Sequence, residues 1–174
     1  SSVISPKPIS KDKTNIANQL ALFFEILYAG KTPRINSDGV TSHEAVTGGN
    51  FQTISGGSMG FPKVLERTCI SWILSFNIND KFYNLRGSKV ALFGSISHSL
   101  SLYGALESIY LGCEVHPLAG LSPRKQLQYL KNKNIEILYV TPTQLRFMLS
   151  AKYQNYLIDS LRYVFIGGAS IEPN

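Results

Sequence analysis

Lys89-Val90-Ala91-Leu92-Phe93 is a short, continuous apolar run behind a single lysine. A run of this length without polar alternation reads as a buried strand, the pattern of a parallel sheet covered on both faces. The residues downstream support that reading. Leu102, Ala105, Leu106 and Ile109 recur at helical spacing, and Gly112 supplies a stop. Cys113 to His116 is a short strand, and Pro123 opens a helix through Leu130. Ile135 to Val140 is then a strand, Pro142 to Leu149 a helix and Leu161 to Ile166 another strand. Strands alternating with helices imply right-handed crossovers. The expected fold is α/β, a mainly parallel sheet with helices on both faces.

Upstream of this alternation, Ile16, Leu20, Phe23, Phe24 and Leu27 mark one helix face, which Gly30 ends. An extended piece near Pro33 and a polar turn through Asn36-Ser37-Asp38-Gly39 lead towards a further strand. Leu65, Cys69, Trp72, Ile73 and Phe76 mark one face of a second helix. Residues 1–14 are rich in Ser, Pro and Lys and are expected to fray, leaving 15–174 as a single α/β unit. Neither an internal repeat nor a low-complexity linker interrupts it.

Between these regions stands Ile54-Ser55-Gly56-Gly57-Ser58-Met59-Gly60-Phe61-Pro62-Lys63. Glycines let a ligand approach the backbone, and consecutive N–H groups form a concave anion site that hydroxyls and an ammonium complete. The apolar spacing after it predicts a helix N-terminus, whose dipole favours phosphate. The stretch is expected to cradle phosphate, against the plainer reading of a surface turn. It is not a Walker loop, because Phe61 and Pro62 separate Gly60 from Lys63 and Val64 stands where the metal-binding hydroxyl belongs. Nor is it the dinucleotide fingerprint, because Ser55 replaces its first glycine. A P-loop nucleotide hydrolase is disfavoured accordingly.

The order Ser55-Gly56-Gly57-Ser58-Met59-Gly60-Phe61-Pro62-Lys63 resembles the signature [ST]-[SG]-G-[ST]-T-G-x-P-K of the adenylate-forming superfamily, which includes the acyl-CoA synthetases. Gly56 replaces a frequent serine and Met59 a usual threonine or serine. Lys63 to Thr68 continues like that family's loop-to-helix passage, and Ser71-Trp72 resembles a pair found in some acyl-CoA synthetases. Leu92 to Leu100, with His98, resembles the strand and turn beside the acyl pocket, and Tyr163 to Ile171 resembles the strand entering the loop beside adenine. The resemblance runs from about Ile54 to the C-terminus.

The resemblance implies a carboxylic acid, most often a fatty acid, joined to ATP to give an acyl-adenylate and pyrophosphate. Coenzyme A then takes the acyl group. It assigns Ser55, Gly56, Gly57, Ser58, Met59, Gly60 and Lys63 to the phosphates, and Gly167, Gly168 and Ala169 to the adenine side. Lys63 would otherwise be a solvated lysine, and the glycine pair a plain turn. His98 either lines the acyl pocket or orients a carboxylate, or else belongs to the N-cap region of a helix over 97–111, capped by Ser97 or Ser99. Mg²⁺ is implied as well, but the family's Mg²⁺-binding glutamate, ribose aspartate and catalytic lysine have no counterpart here. The chain is therefore expected to be a partial acyl-CoA synthetase, inactive alone. The alternative is a non-catalytic acyl- or protein-binding module of that ancestry, with exposed apolar surface favouring self-association.

Composition narrows the remainder. With 44% hydrophobic and 16% charged residues the chain is globular. The net charge of +6 comes from dispersed basic residues, with no aromatic-interleaved stripe, so nucleic acid is not an expected partner. Ala21 to Ala29, broken by Glu25, is too short to span a bilayer, and no secretory leader is visible. Cys69 and Cys113 lack metal spacing and fit inert packing in a reducing cytoplasm. His43 and His116 have no recognisable context, and Glu44, Glu66, Glu107 and Glu114 read as isolated surface or helix residues. No catalytic triad or metal cluster is proposed.

Overall fold

A computed structural model of the protein describes residues 16–44, 48–55, 63–150 and 157–168. Residues 1–14, expected to fray, lie outside them. In chain order the described elements are α1 (Ile16–Tyr28), β1 (Thr32–Asn36), β2 (Gly39–His43), β3 (Asn50–Ser55), β4 (Lys63–Thr68) and α2 (Cys69–Tyr83). After these come β5 (Lys89–Leu92), α3 (Ser99–Tyr110), β6 (Glu114–Pro117), α4 (Pro123–Asn132), β7 (Ile137–Val140), α5 (Pro142–Met148) and β8 (Tyr163–Ile166).

The strands form two four-stranded sheets, ordered β2-β1-β3-β4 and β6-β5-β7-β8. The second is the expected parallel sheet, with β5 between β6 and β7, and β8 beyond β7. Strand alternation divides its side chains between two cores. Val90, Leu92, Ile137 and Tyr139 join Leu102 and Ala105 of α3, whereas Ala91, Phe93, Leu138 and Val140 join Leu127 and Leu130 of α4. Helices thus cover both faces, as the unbroken apolar runs require. Burying each Leu, Ile or Val is worth roughly 1.5–3 kcal/mol.

The first sheet departs from expectation. β1 and β2 make an antiparallel hairpin, whose turn is held by the Asp38 N–H donating to Asn36 Oδ1 at 2.9 Å. β3 runs parallel to β1 and antiparallel to β4. Lys63 to Thr68 is therefore a strand, not the opening of a helix. The cause is tertiary: Leu65 lies opposite Thr53 in the hairpin, so period two governs the segment. The helix begins at Cys69, with Thr68 Oγ1 accepting the Ser71 N–H at 3.3 Å.

α3 joins the two sheets. Trp72 of α2 packs edge-on against Phe51 of β3 at 4.8 Å between ring centroids, and against Tyr103 of α3 at 5.0 Å. On its other side α3 lies close on the parallel sheet because residue 104 is glycine. A Cβ there would fall 2.8 Å from the Tyr139 ring and 2.9 Å from Leu92 Cδ2. The chain leaves α3 through Gly112, whose φ of 68° matches the expected stop. No helix among the described residues is long and apolar enough to cross a membrane.

Candidate functional site

The carboxyl ends of β5, β7 and β8 share one edge of the parallel sheet, the side on which such sheets take ligands. After β5 the chain turns through Gly94-Ser95-Ile96-Ser97 into α3, anchored by fully buried Ile96. The Ser95 carbonyl accepts the His98 N–H at 3.0 Å, and Ser95 Oγ accepts the Ser97 N–H at 3.3 Å. That turn makes His98 itself the N-cap of α3, with no side-chain cap bond. The expected helix over 97–111 is thus shorter, and neither Ser97 nor Ser99 is its N-cap. The His98 side chain is exposed.

After β7, Thr141 caps α5 through a capping box. Its Oγ1 accepts the Gln144 N–H at 3.3 Å, and Gln144 Oε1 accepts the Thr141 N–H at 2.9 Å. After β8, the Gly167 N–H donates to the Val140 carbonyl at 3.2 Å, and Gly168 adopts φ of 83°. A Cβ at Gly167 would stand 3.2 Å from Leu100 Cδ1, and one at Gly168 would stand 3.7 Å from Thr141 Cγ2. The glycine pair therefore brings bare backbone against the first turn of α3 and the cap of α5. A side chain would crowd the first position and strain the second.

The glycine stretch arises elsewhere. Ser55 ends β3, exposed Lys63 begins β4, and the two are register partners. Gly56, Gly57, Ser58, Met59 and Gly60 lie outside the described residues, as does Ala169. The strands on either side of the stretch, β3 and β4, belong to the first sheet and not to the parallel one. Nor does a helix dipole serve the stretch. α2 starts beyond Thr68, roughly 16 Å along the strand from Lys63, and the dipole fades within one turn. Of the groups expected to cradle an anion, the helix dipole is thus out of reach, and Lys63 stands exposed at the start of β4.

Sequence reasoning missed a buried polar cluster under α3. Glu107 is only 2% exposed. Its Oε1 accepts the Tyr139 hydroxyl, and its Oε2 accepts Asn79 Nδ2 at 2.8 Å. Asn79 also donates to the Tyr103 hydroxyl at 3.0 Å, which in turn meets Ser75 Oγ at 2.5 Å. Burial pushes the Glu107 carboxyl above its usual range, against the hydrogen bonds it accepts, and raises Tyr103 to about 12. Tyr139 is raised too, chiefly by burial and then by Glu107. This cluster ties α2, α3 and β7 together and so positions the helix that carries His98 and Leu100. The small residues Ser101, Gly104, Ala105 and Ser108 around Glu107 are its sequence signal, since they mark a helix enclosed on several sides.

Other titratable groups have structural partners. His116 is buried, with Nδ1 3.0 Å from the Tyr129 hydroxyl and Nε2 2.9 Å from Glu114. Burial lowers its pKa, and Glu114 opposes that shift. His43 Nε2 stands 3.1 Å from Thr41 Oγ1. Glu66 accepts Asn50 Nδ2 at 2.6 Å, and Glu44 lies 3.4 Å from Lys31. Cys69 and Cys113 are free thiols raised by burial, hence poor nucleophiles. Among the described residues no three His, Cys, Asp or Glu side chains cluster as a metal site.

Comparison with known proteins gives this geometry a family. The family described as AMP-binding enzyme matches residues 53–174. An uncharacterized acyl-CoA ligase, YhfT, of Bacillus subtilis is 33% identical over 94 residues, covering 53% of this chain and 20% of the relative. A putative long chain fatty acid-CoA ligase, VraA, of Staphylococcus epidermidis is 26% identical over 116 residues, covering 66% of this chain and 25% of the relative. The chain therefore spans a fifth to a quarter of these relatives' lengths. The inhibitor-bound N-terminal domain of FACL13 from Mycobacterium tuberculosis shares the fold, with a TM-score of 0.61 at 19% identity over 76% of this chain and 34% of that one. The match over residues 53–174 takes in β4, the whole parallel sheet and both glycine motifs, and the chain belongs to the AMP-binding enzyme family.

Proposed function

We propose that the chain supplies two loops of an acyl-adenylate-forming site, within a protein that joins a fatty acid to coenzyme A in the cytoplasm. The observation that carries this reading is the meeting of Leu100, Thr141 and Gly167-Gly168 at the carboxyl edge of the parallel sheet, inside the stretch that matches the family. The acyl-CoA ligase relatives support the thioester chemistry, and the free thiols suit a reducing compartment.

In this reading a carboxylate oxygen attacks the α-phosphorus of ATP, and the bond to pyrophosphate breaks. The thiol sulfur of coenzyme A then attacks the acyl carbon, and AMP leaves. Ser55, Gly56, Gly57, Ser58, Met59 and Gly60 surround the departing phosphates, mainly through N–H groups, and Lys63 adds a point charge. Gly167, Gly168 and Ala169 lie along the adenine. The positive φ of Gly168 and the side-chain-free backbone of the pair suit a flat ring laid on backbone. His98, exposed at the same edge, stands beside the carboxylate. Mg²⁺, when bound, neutralises phosphate charge, and no described residue is assigned to it.

Titration calorimetry tests the proposal. ATP with Mg²⁺ and a non-hydrolysable fatty-acyl adenylate analogue should each bind at one site. Lys63→Ala should weaken ATP about tenfold, or about 1.4 kcal/mol, and the analogue, which lacks the departing phosphates, much less. His98→Ala should weaken the analogue more than ATP. Absence of saturable binding by either probe overturns the proposal. Tighter binding of an aryl than of a fatty-acyl analogue overturns the substrate class alone.

A further inference from the structure

Glu107 is a buried carboxyl to which the proposed reaction gives no role, and three separate paths lead from it to Gly167. The first runs along α3. Leu100 stands seven residues before Glu107, two turns and roughly 10 Å along the helix, on the same face. That face presents Glu107 to the Tyr139 hydroxyl at one end and Leu100 to the glycine pair at the other. The second path runs along β7. Tyr139 is followed by Val140, whose carbonyl accepts the Gly167 N–H at 3.2 Å, and then by Thr141, beside Gly168. The third crosses to β8. There the Tyr139 ring stacks on Phe165, two residues before Gly167, at 5.0 Å between centroids and 20° between planes.

We propose that Glu107 is a positioning residue for the adenine side of the site, setting where Leu100 and Val140 hold Gly167 and Gly168. The proposal rests on the reading that this glycine pair lies along adenine. Apolar contact alone does not fix α3 along the sheet. The helix meets the sheet through Gly104, and its buried Ser101, Ala105 and Ser108 are small. Such a surface has shallow ridges and resists sliding poorly. The Ser108 hydroxyl adds no tie, since it donates to the Gly104 carbonyl of its own helix at 2.6 Å. The hydrogen bond between Glu107 and Tyr139 is directional and specifies one register. Asn79 of α2, donating to the other carboxyl oxygen at 2.8 Å, holds the carboxyl from a second helix. A displaced Glu107 therefore moves Leu100, Val140 and Phe165 together, and with them the glycine pair.

Amide exchange of the ligand-free 174-residue chain, read residue by residue by NMR, tests this. Glu107→Gln keeps the reach and the volume, and should leave Gly167 exchange within about twofold of the wild type. Glu107→Asp keeps the carboxyl but is one methylene short, and should speed Gly167 exchange about tenfold relative to the amides of α4. Tyr139→Phe removes only the hydroxyl, keeps the ring on Phe165, and should act in the same selective way. Equal acceleration at Gly167 and along α4 would show a general loss of stability and overturn the proposal. Unchanged exchange in either Glu107→Asp or Tyr139→Phe overturns it too, as does Glu107→Gln behaving like Glu107→Asp. A binding measurement separates the proposal from the reading beneath it. Glu107→Asp should weaken ATP with Mg²⁺ about tenfold and leave inorganic tripolyphosphate, which lacks adenine, unchanged. Equal weakening of the two probes overturns the adenine-side role. A wild-type chain that binds neither probe overturns the adenine reading, while Gly167 exchange still decides whether Glu107 sets the loop.

Discussion

The parallel sheet and the hairpin sheet carry different kinds of loop. β5 and β7 are buried on both faces, and the turns leaving them are short and tied down. Ile96 is buried, Thr141 is boxed with Gln144, and Gly167 is bonded to Val140. β4 is exposed at every position except half-buried Leu65, and it continues from a glycine stretch anchored by the Ser55–Lys63 pair. One sheet thus offers a fixed backbone surface suited to a flat ring. The other carries, at the start of β4, the exposed ammonium of Lys63, which the proposal assigns to phosphate. The difference teaches that, if the proposed reading holds, one nucleotide site takes its backbone contacts from two separate sheets.

Several substitutions can break that contrast. Leu138→Ala, at a fully buried position of β7, should cost about 3 kcal/mol in urea unfolding. Val64→Ala, 47% exposed on β4, should cost under about 0.5 kcal/mol. Equal losses would erase the distinction between the sheets. Gly104→Ala forces a methyl into Tyr139 and Leu92 and should cost about 2 kcal/mol by the same measurement. A neutral result would mean that α3 does not lie as close to the sheet as described. Thr141→Ala removes the α5 cap at an expected loss of about 1 kcal/mol, together with faster amide exchange in the first turn of α5.

The smallest effect expected concerns pH. The folded protein holds Glu107 above its ordinary value of 4.5, so the unfolded chain ionises first as pH rises. The wild type is therefore penalised progressively from about that pH up to the folded value, and Glu107→Gln is not. Unfolding curves compared from acid to neutral pH should show the variant gaining on the wild type. A constant difference would show that Glu107 is not held neutral by burial.

Much of the parallel half was legible because its central strands, β5 and β7, bury both faces. Continuous apolar runs then carry the signal, and Gly112, Pro123 and Pro142 punctuate them as expected. The hairpin half misled because Leu65, Cys69 and Trp72 happen to fall at helical spacing. Only pairing with β3 reveals Lys63–Thr68 as a strand, and pairing is not local information. The Glu107 cluster was hidden for the same reason, since Asn79 and Tyr139 lie 28 and 32 residues away. The glycine pair at 167–168 needed only its place after a strand. His98 depended on where the Ser95 turn closes, a detail that the two candidate caps, Ser97 and Ser99, left open.

Hydrogen exchange with and without bound ATP and Mg²⁺ tests the two-sheet site most directly. Joint protection of the segments spanning Ser55–Lys63 and Gly167–Gly168 is the predicted result, with no change along α4. Protection at one segment alone, or at neither while ATP binds, would contradict it.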